Sequence, residues 1–306
     1  MMKIYEANRR GYKHKNLIFW LAMINSLSRP LEKTDVVLDF GCGSGLFLQL
    51  LFECYPFGRG YGIDLDSSAI TSAKTTLENK DNYPITYHQA SLEDVLDAQE
   101  KILFDVIFIQ EVLWMNKDIQ LISNTLFKLL KEGGRCYCAI GCHAENPVWE
   151  HRKNRITAEG HQTYTHSLDE IANTFSKSGF AVGLRRLPID GFLMYHPETT
   201  VLNAGSFSSL AASTYEHKML LYFGKTKQIQ MSPIIDKMIP DYLINSTQLH
   251  VVGLDVDGHV NFIGRKFETE FPLFKKEFYI HNFSNFLDEN EHGLFEFLLT
   301  DLLESP

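Results

Sequence analysis

The sequence predicts an α/β protein built on a mostly parallel sheet, and three observations carry that expectation. Between Asp35 and Leu187 short apolar runs alternate with helical patterns, the signature of successive strand-helix units. The first run, Val36 to Phe40, ends in Gly41-Cys42-Gly43-Ser44-Gly45, a glycine-rich passage from strand into helix. Beyond Lys227 the pattern lapses and the charge shifts: residues 1–227 hold 24 Lys+Arg against 25 Asp+Glu, whereas residues 228–306 hold 5 against 13. The net charge of −9 over 306 residues therefore belongs almost wholly to the last 79.

Each element follows from its own pattern. Leu17 to Ile24 reads as an amphipathic helix, far below the roughly 20 residues of a membrane span. After the glycine passage, Leu46 to Phe52 is apolar on nearly every face, as in a helix packed between a sheet and its neighbours. A second strand, Gly60 to Ile63, closes on Asp64-Leu65-Asp66, where Asp66 is placed to cap a helix carrying Ala69, Ile70, Ala73 and Leu77. Ile85 to Gln89 is the third strand and Phe104 to Ile109 the buried fourth. A helix over Asp118 to Lys131 is expected to stop at Gly133-Gly134, which opens the fifth strand, Arg135 to Ile140. Ser167-Leu168-Asp169-Glu170 has capping-box spacing and starts a helix closed by Gly179. Phe180 to Leu187 and Lys218 to Phe223 complete seven strands, with Gly191 to Thr214 between them as a lid or insertion. In the acidic part, Gln248 to Phe262 resembles a hairpin turning at Asp255 to Gly258, Phe271 to Phe286 is dense in aromatics, and Leu294 to Leu303 has a helical apolar face.

Composition excludes several classes. A pI near 5.7 argues against a protein that coats nucleic acid, and five sparse cysteines indicate a reducing, cytoplasmic compartment rather than a disulfide framework. Cys136, Cys138 and Cys142 with His143 lack the turn spacing of a zinc site, so no metal is expected. No membrane or nucleic-acid partner is expected, and the oligomeric state is left open.

The glycine passage limits the ligand. Its third glycine comes one residue too early for the dinucleotide fingerprint, and no Gly-Lys-Ser/Thr follows to make a P-loop. Instead, Leu38-Asp39-Phe40-Gly41-Cys42-Gly43-Ser44-Gly45 resembles the first motif of the class I S-adenosylmethionine-dependent methyltransferases. The resemblance continues through Gly62-Ile63-Asp64, Phe104-Asp105-Val106-Ile107, Leu130 to Arg135 and Ser178-Gly179-Phe180, and covers about residues 1–227. It implies a Rossmann-like three-layer sandwich with a seven-stranded mostly parallel sheet, to which the chain adds a small α+β C-terminal extension. The domains are then an N-terminal helical cap (1–30), a cofactor-binding domain (31–227) and the acidic region (228–306).

The resemblance also implies S-adenosylmethionine as cofactor and assigns roles around it. Gly41, Cys42, Gly43, Ser44 and Gly45 pass under its amino-acid end, with Asp39 orienting the loop through backbone hydrogen bonds. Asp64 accepts from both ribose hydroxyls, a task for an acceptor-only group. Leu65, Ser91 and Leu92 stand near the adenine, Ser91 replacing the family's usual acid, so that Glu93 or backbone atoms are alternatives there. Gln110 and Glu111 face the reactive end. Methyl transfer is an in-line displacement that needs alignment, dryness and a base only where a proton must leave. His143 and Glu111 are the candidate catalytic residues. Trp149, His151, Arg152, Arg155, His161, Tyr164 and His166 suggest a pocket for a polar or anionic substrate, and Tyr5, Tyr12 and Trp20 in the basic N-terminal arm suggest a cover over it. The expected reaction is methylation of a small or medium-sized polar acceptor through oxygen or nitrogen. The alternatives are a protein acceptor docked through residues 228–306 and a non-catalytic cofactor-binding scaffold.

Overall fold

Strand β1 (Val36–Phe40) sits at the middle of the sheet because it is apolar on both faces. Val37 packs to one side with Val106, Phe108, Tyr137 and Ala139, while Val36 and Leu38 pack to the other with Ile107, Ile109, Cys136 and Cys138. The computed structural model describes residues 16–78, 82–98, 101–189 and 191–225, together with strand residues 252–254 and 260–263. The chain divides into two compact units, residues 1–229 and 230–306.

In the first unit the elements run α1 (Leu17–Ile24), β1, α2 (Leu46–Cys54), β2 (Arg59–Asp64), α3 (Ser67–Leu77), β3 (Ile85–Gln89), α4 (Leu92–Leu96) and β4 (Phe104–Gln110). They continue through α5 (Ile119–Leu129), β5 (Leu130–Ile140), α6 (Trp149–Ala158), α7 (Leu168–Lys177), β6 (Ala181–Arg186), α8 (Pro197–Ala204), α9 (Phe207–Tyr215) and β7 (Met219–Gly224). The seven strands lie in the order β3-β2-β1-β4-β5-β7-β6. All neighbours are parallel except β7, which runs antiparallel to β5 and β6. Helices α1, α2 and α3 cover one face and α4, α5 and α7 the other, giving the expected three layers. In the second unit β8 (Val252–Leu254) pairs antiparallel with β9 (Val260–Ile263). The tight turn, the aromatic stretch and the terminal helix expected around that pair lie outside the described residues, as do Tyr5 and Tyr12.

Local chemistry places most boundaries. Asp66 accepts from Ser68 N at the start of α3, Asp118 from Leu121 N at α5, and Ser167 from Glu170 N at α7. Gly179, at φ +99°, closes α7 in a conformation suited to glycine.

Two expectations are corrected, and the inserted segment gains its structure. Helix α1 is not amphipathic: Leu17 and the whole run Trp20 to Ile24 are buried, because the helix packs into the core with α2 rather than on its rim. The Gly133-Gly134 pair does not stop the preceding helix. That helix ends at Leu129, and the glycines lie inside β5, where Gly133 N donates to Lys225 O (2.7 Å) and Lys225 N to Gly134 O (2.9 Å). The segment 191–214 forms two short helices, each started by a side-chain cap: His196 accepts from Thr199 N, and Ser206 from Ser209 N.

Candidate active site

The parallel strands bring their carboxyl ends to one edge, and β7, being antiparallel, brings its first residues there. The loop after β1 is pinned to β2: Gly41 N and Cys42 N both donate to Ile63 O, at 2.9 and 3.0 Å. Gly41, Gly43 and Gly45 all have positive φ, but for different reasons. A Cβ at Gly41 would meet Val112 Cγ2 at 2.4 Å, and one at Gly45 would meet the Tyr87 ring at 2.5 Å. A Cβ at Gly43 would meet nothing within 4 Å, so the loop is open there. Gly45 caps α2 without a side-chain bond, leaving first-turn N–H groups available to a ligand.

Asp64, at the end of β2, accepts from Gly43 N through Oδ2 and from Asp66 N through Oδ1, both at 2.9 Å. Each carboxylate oxygen retains a second lone pair. Leu65 beside it is 71% exposed, a large apolar side chain presented to solvent. Tyr87 lies beneath the loop, its hydroxyl donating to Gly45 O at 2.7 Å and accepting from Gln49 Nε2 at 3.4 Å. Sequence reasoning passed over Tyr87; its signal is a lone aromatic on β3, level with the glycines.

Asp39 departs from expectation. It is buried and its two carboxylate oxygens accept no hydrogen bond of normal geometry, so it does not hold the glycine loop through backbone groups. Burial pushes its carboxyl up to about 7, with contact to Gln110 acting against the rise and the Asp64 charge adding to it. Ser91 is occupied as the cap of α4, in a reciprocal pair with Asp94, and Leu92 is buried in the core, so Leu92 is not a surface for adenine.

The candidate catalytic residues fare differently. His143 is fully buried, with Nδ1 3.0 Å from Glu145 Oε2 and Nε2 2.8 Å from the His217 carbonyl. Both ring nitrogens face acceptors, which leaves none to take a proton from a substrate. Glu145 also accepts from Leu168 N, so the cluster ties the loop after β5 to α7 and to the residue before Lys218. Glu111, directly after β4, is the described non-glycine residue with positive φ (55°). Its Oε1 accepts from Gly141 N at 2.9 Å and from Lys218 Nζ. Burial raises its carboxyl and Lys218 outweighs burial, so the group is held below the ordinary carboxylate range. Lys218 was not singled out in the sequence; its signal is a cation heading an apolar strand that starts at the functional edge.

Of the expected substrate residues, the two tryptophans among the described residues are structural. Trp20 is buried against Phe47. Trp149 is buried beside Trp114 and donates to Thr165 Oγ1 (2.9 Å). The cations of α6 do not line an anion pocket: Arg155 donates to Asn203 Oδ1, Arg152 to Asn203 O, and His151 Nε2 lies 3.0 Å from Leu202 O, all at the carboxyl end of α8. His166 is buried between Glu170 and Asn116 O, and Tyr164 donates to Gln162. No group of three or more His, Cys, Asp or Glu among the described residues is placed to hold a metal.

A seven-stranded sheet in this order, with β7 alone reversed and a glycine loop after the central strand, defines the Rossmann-like methyltransferase fold. Residues 31–178 match the family model described as a methyltransferase domain, and this domain belongs to the class I S-adenosylmethionine-dependent methyltransferases. Among curated proteins the chain is 25% identical over 150 residues to malonyl-[acyl-carrier protein] O-methyltransferase 1 of Ilyobacter polytropus, covering 48% of this chain and 53% of that one. It is 30% identical over 109 residues to the ribosomal protein L11 methyltransferase of Burkholderia mallei, covering 36% and 33%. The chain thus spans about half or less of the length of these relatives. Among solved structures it resembles a chain of the complex between the Haloferax volcanii Trm112 methyltransferase activator and a methyltransferase. That match has a TM-score of 0.59 and 19% identity, and covers 72% of this chain and 94% of the other. No described helix is long and apolar enough to cross a membrane.

Proposed function

We propose that the protein transfers the methyl group of S-adenosylmethionine to a polar acceptor through oxygen or nitrogen. The observation that carries this reading is the fit of the β1–β2 edge to that cofactor's three chemically different parts. A buried carboxylate without a hydrogen-bond partner, Asp39, suits the cofactor's ammonium group. The spare lone pairs of Asp64 suit a ribose diol, and exposed Leu65 suits an adenine face. The open side of Gly43 leaves room for close passage of the amino-acid part. Gln110, in contact with Asp39, links this bed to Glu111.

When bound, S-adenosylmethionine supplies a methyl carbon whose bond to sulfur breaks, the electron pair staying on sulfur, as the acceptor's lone pair takes the carbon. The protein's part is to align the acceptor and exclude water. His143, with both ring nitrogens facing protein acceptors, is not placed to take the acceptor's proton.

Calorimetry tests the cofactor half of the reading. S-adenosylmethionine and S-adenosylhomocysteine are expected to bind purified protein with affinity in the micromolar range. The absence of binding, together with no effect of Asp64→Ala, refutes the reading.

A further inference from the structure

We infer that the acceptor presents an N–H or O–H donor to Glu111 Oε2, and that Lys218 fixes Glu111 for that task. This rests on the methyl-transfer reading and names the acceptor chemistry within it.

The two oxygens of Glu111 are in different situations. Oε1 takes the two strong protein donors, Gly141 N and Lys218 Nζ. Oε2 is buried with no hydrogen-bond partner among the described residues; the Cys142 thiol, a weak donor, adjoins the carboxylate. A buried acceptor left unpaired is destabilising, and a donor arriving with a ligand recovers that loss.

Position assigns that donor to the acceptor rather than to the cofactor. Glu111 lies beyond Gln110, on the side of the sheet edge where β5 and β7 end and begin, away from the β1–β2 bed. Gly141 closes the carboxyl end of β5, and a Cβ there would stand 3.1 Å from Glu111 Oε1 and 3.2 Å from Lys218 Cδ, so the pair lies directly over that glycine. From the other side Lys218 Nζ is 5.1 Å from the centre of the Phe19 ring on α1.

The backbone supports a dedicated side chain here. Glu111 is held in the left-handed region, which strains a non-glycine residue and costs glycine nothing. The position spends that strain on a carboxylate. The ion pair has no net charge, and its open valence is an acceptor. It therefore selects an amine or hydroxyl, from which it accepts a hydrogen bond while a lone pair on the same atom turns toward the methyl carbon, the acceptor losing that proton once the methyl is bound. A carbon or sulfur nucleophile without such a hydrogen leaves Oε2 unpaired.

Glu111→Gln is the incisive variant. Its amide oxygen can keep the bonds from Gly141 N and Lys218, which puts the NH2 where Oε2 was and turns an acceptor into a donor. Glu111→Gly is the second variant; it relieves the left-handed strain but leaves Lys218 without its carboxylate, so both variants are first shown by thermal unfolding to be folded at the assay temperature. Wild type and both variants are titrated with S-adenosylhomocysteine. They are then incubated with methyl-tritiated S-adenosylmethionine and a deproteinised small-molecule extract of the source cells, the labelled product being placed by mass spectrometry.

The expected result is methyl on a nitrogen or oxygen that bore hydrogen, transfer down at least 10-fold in both variants, and cofactor affinity within 3-fold of wild type. Methyl on carbon or sulfur, or variant transfer within 2-fold of wild type, overturns the inference and leaves the methyl-transfer reading standing. Wild-type protein that binds the cofactor yet transfers nothing to the extract overturns the small-acceptor reading and this inference with it.

Discussion

Gly43 and Gly45 are two residues apart in one loop, and alanine at each is expected to fail in a different way. Both have positive φ, so each substitution carries the left-handed penalty of about 1–2 kcal/mol. At Gly43 that is the whole cost to the fold, because the new methyl meets nothing within 4 Å. At Gly45 the methyl also arrives 2.5 Å from the Tyr87 ring, itself held by hydrogen bonds to Gly45 O and Gln49, which adds about 1–3 kcal/mol of overpacking. Thermal unfolding should thus show Gly43→Ala melting a few degrees below wild type and Gly45→Ala falling about twice as far. Titration with S-adenosylmethionine should show the reverse emphasis. Gly43→Ala puts its methyl in the open space assigned to the cofactor and should weaken binding at least 10-fold, about 1.4 kcal/mol, in a protein that remains folded. Wild-type affinity in Gly43→Ala would refute the assignment of this loop as the cofactor's bed. Equal melting losses in both variants would refute the contact analysis.

The other substitutions separate binding from stability in the same manner. Asp64→Ala removes the acceptors of Gly43 N and Asp66 N; it should cost about 1–2 kcal/mol in denaturant unfolding and raise the dissociation constant for S-adenosylmethionine more than 10-fold. Asp39 has its folded-state carboxyl raised from 3.8 to about 7, so its contribution to stability is full below pH 4, declines from there to pH 7 and is lost above. The difference amounts to about 4 kcal/mol, and Asp39→Asn should flatten that part of the stability-pH curve and raise the melting temperature of the ligand-free protein at pH 8. His143→Ala should destabilise by about 2–4 kcal/mol, since it empties a buried site and strands the His217 carbonyl. Per folded molecule, assayed well below its melting point, that variant should retain transfer; loss of turnover at full folding would restore His143 as a base.

The sheet was legible where strand chemistry is local. Val36–Phe40 and Ile85–Gln89 are bounded as the sequence indicated, because apolar β-branched runs end there in glycine or polar residues. The caps Asp66, Asp118 and Ser167 were likewise readable from side-chain type and spacing. What failed depends on partners distant in the chain. Gly133-Gly134 is a helix-stop signal that tertiary pairing with Lys225 draws into a strand. The stretch 191–214 reads only as a lid or insertion, and its helices α8 and α9 are set by side-chain caps, the His196 ring and the Ser206 hydroxyl. His143, Trp20 and Trp149 were picked for the chemistry of their rings, and nothing local to them reveals their burial. Lys218 was overlooked because its meaning comes from β7 running backwards, which brings it to Glu111 from 107 residues away.

The site holds two carboxylates joined through Gln110 and pushed in opposite directions, Asp39 upward by burial and Glu111 downward by Lys218 despite its burial. Divergent carboxylates of this kind can take different roles at one pH. At pH 6 Asp39, raised to about 7, is mostly protonated in the free protein while Glu111, held below the ordinary carboxylate range, is anionic. A cationic ammonium favours ionised Asp39, so binding of S-adenosylmethionine should expel a proton from it. A neutral donor arriving at Glu111 exchanges none. Calorimetric titration at pH 6.5 in two buffers of different ionisation enthalpy should show enthalpies that differ by the proton released; the difference should vanish in Asp39→Asn and persist in Glu111→Gln. A buffer-independent enthalpy in the wild type would mean that the ammonium lies elsewhere. Asp39 would then be a buried acid with no part in binding, and the fit between this edge and the cofactor would rest on Gly43, Asp64 and Leu65 alone.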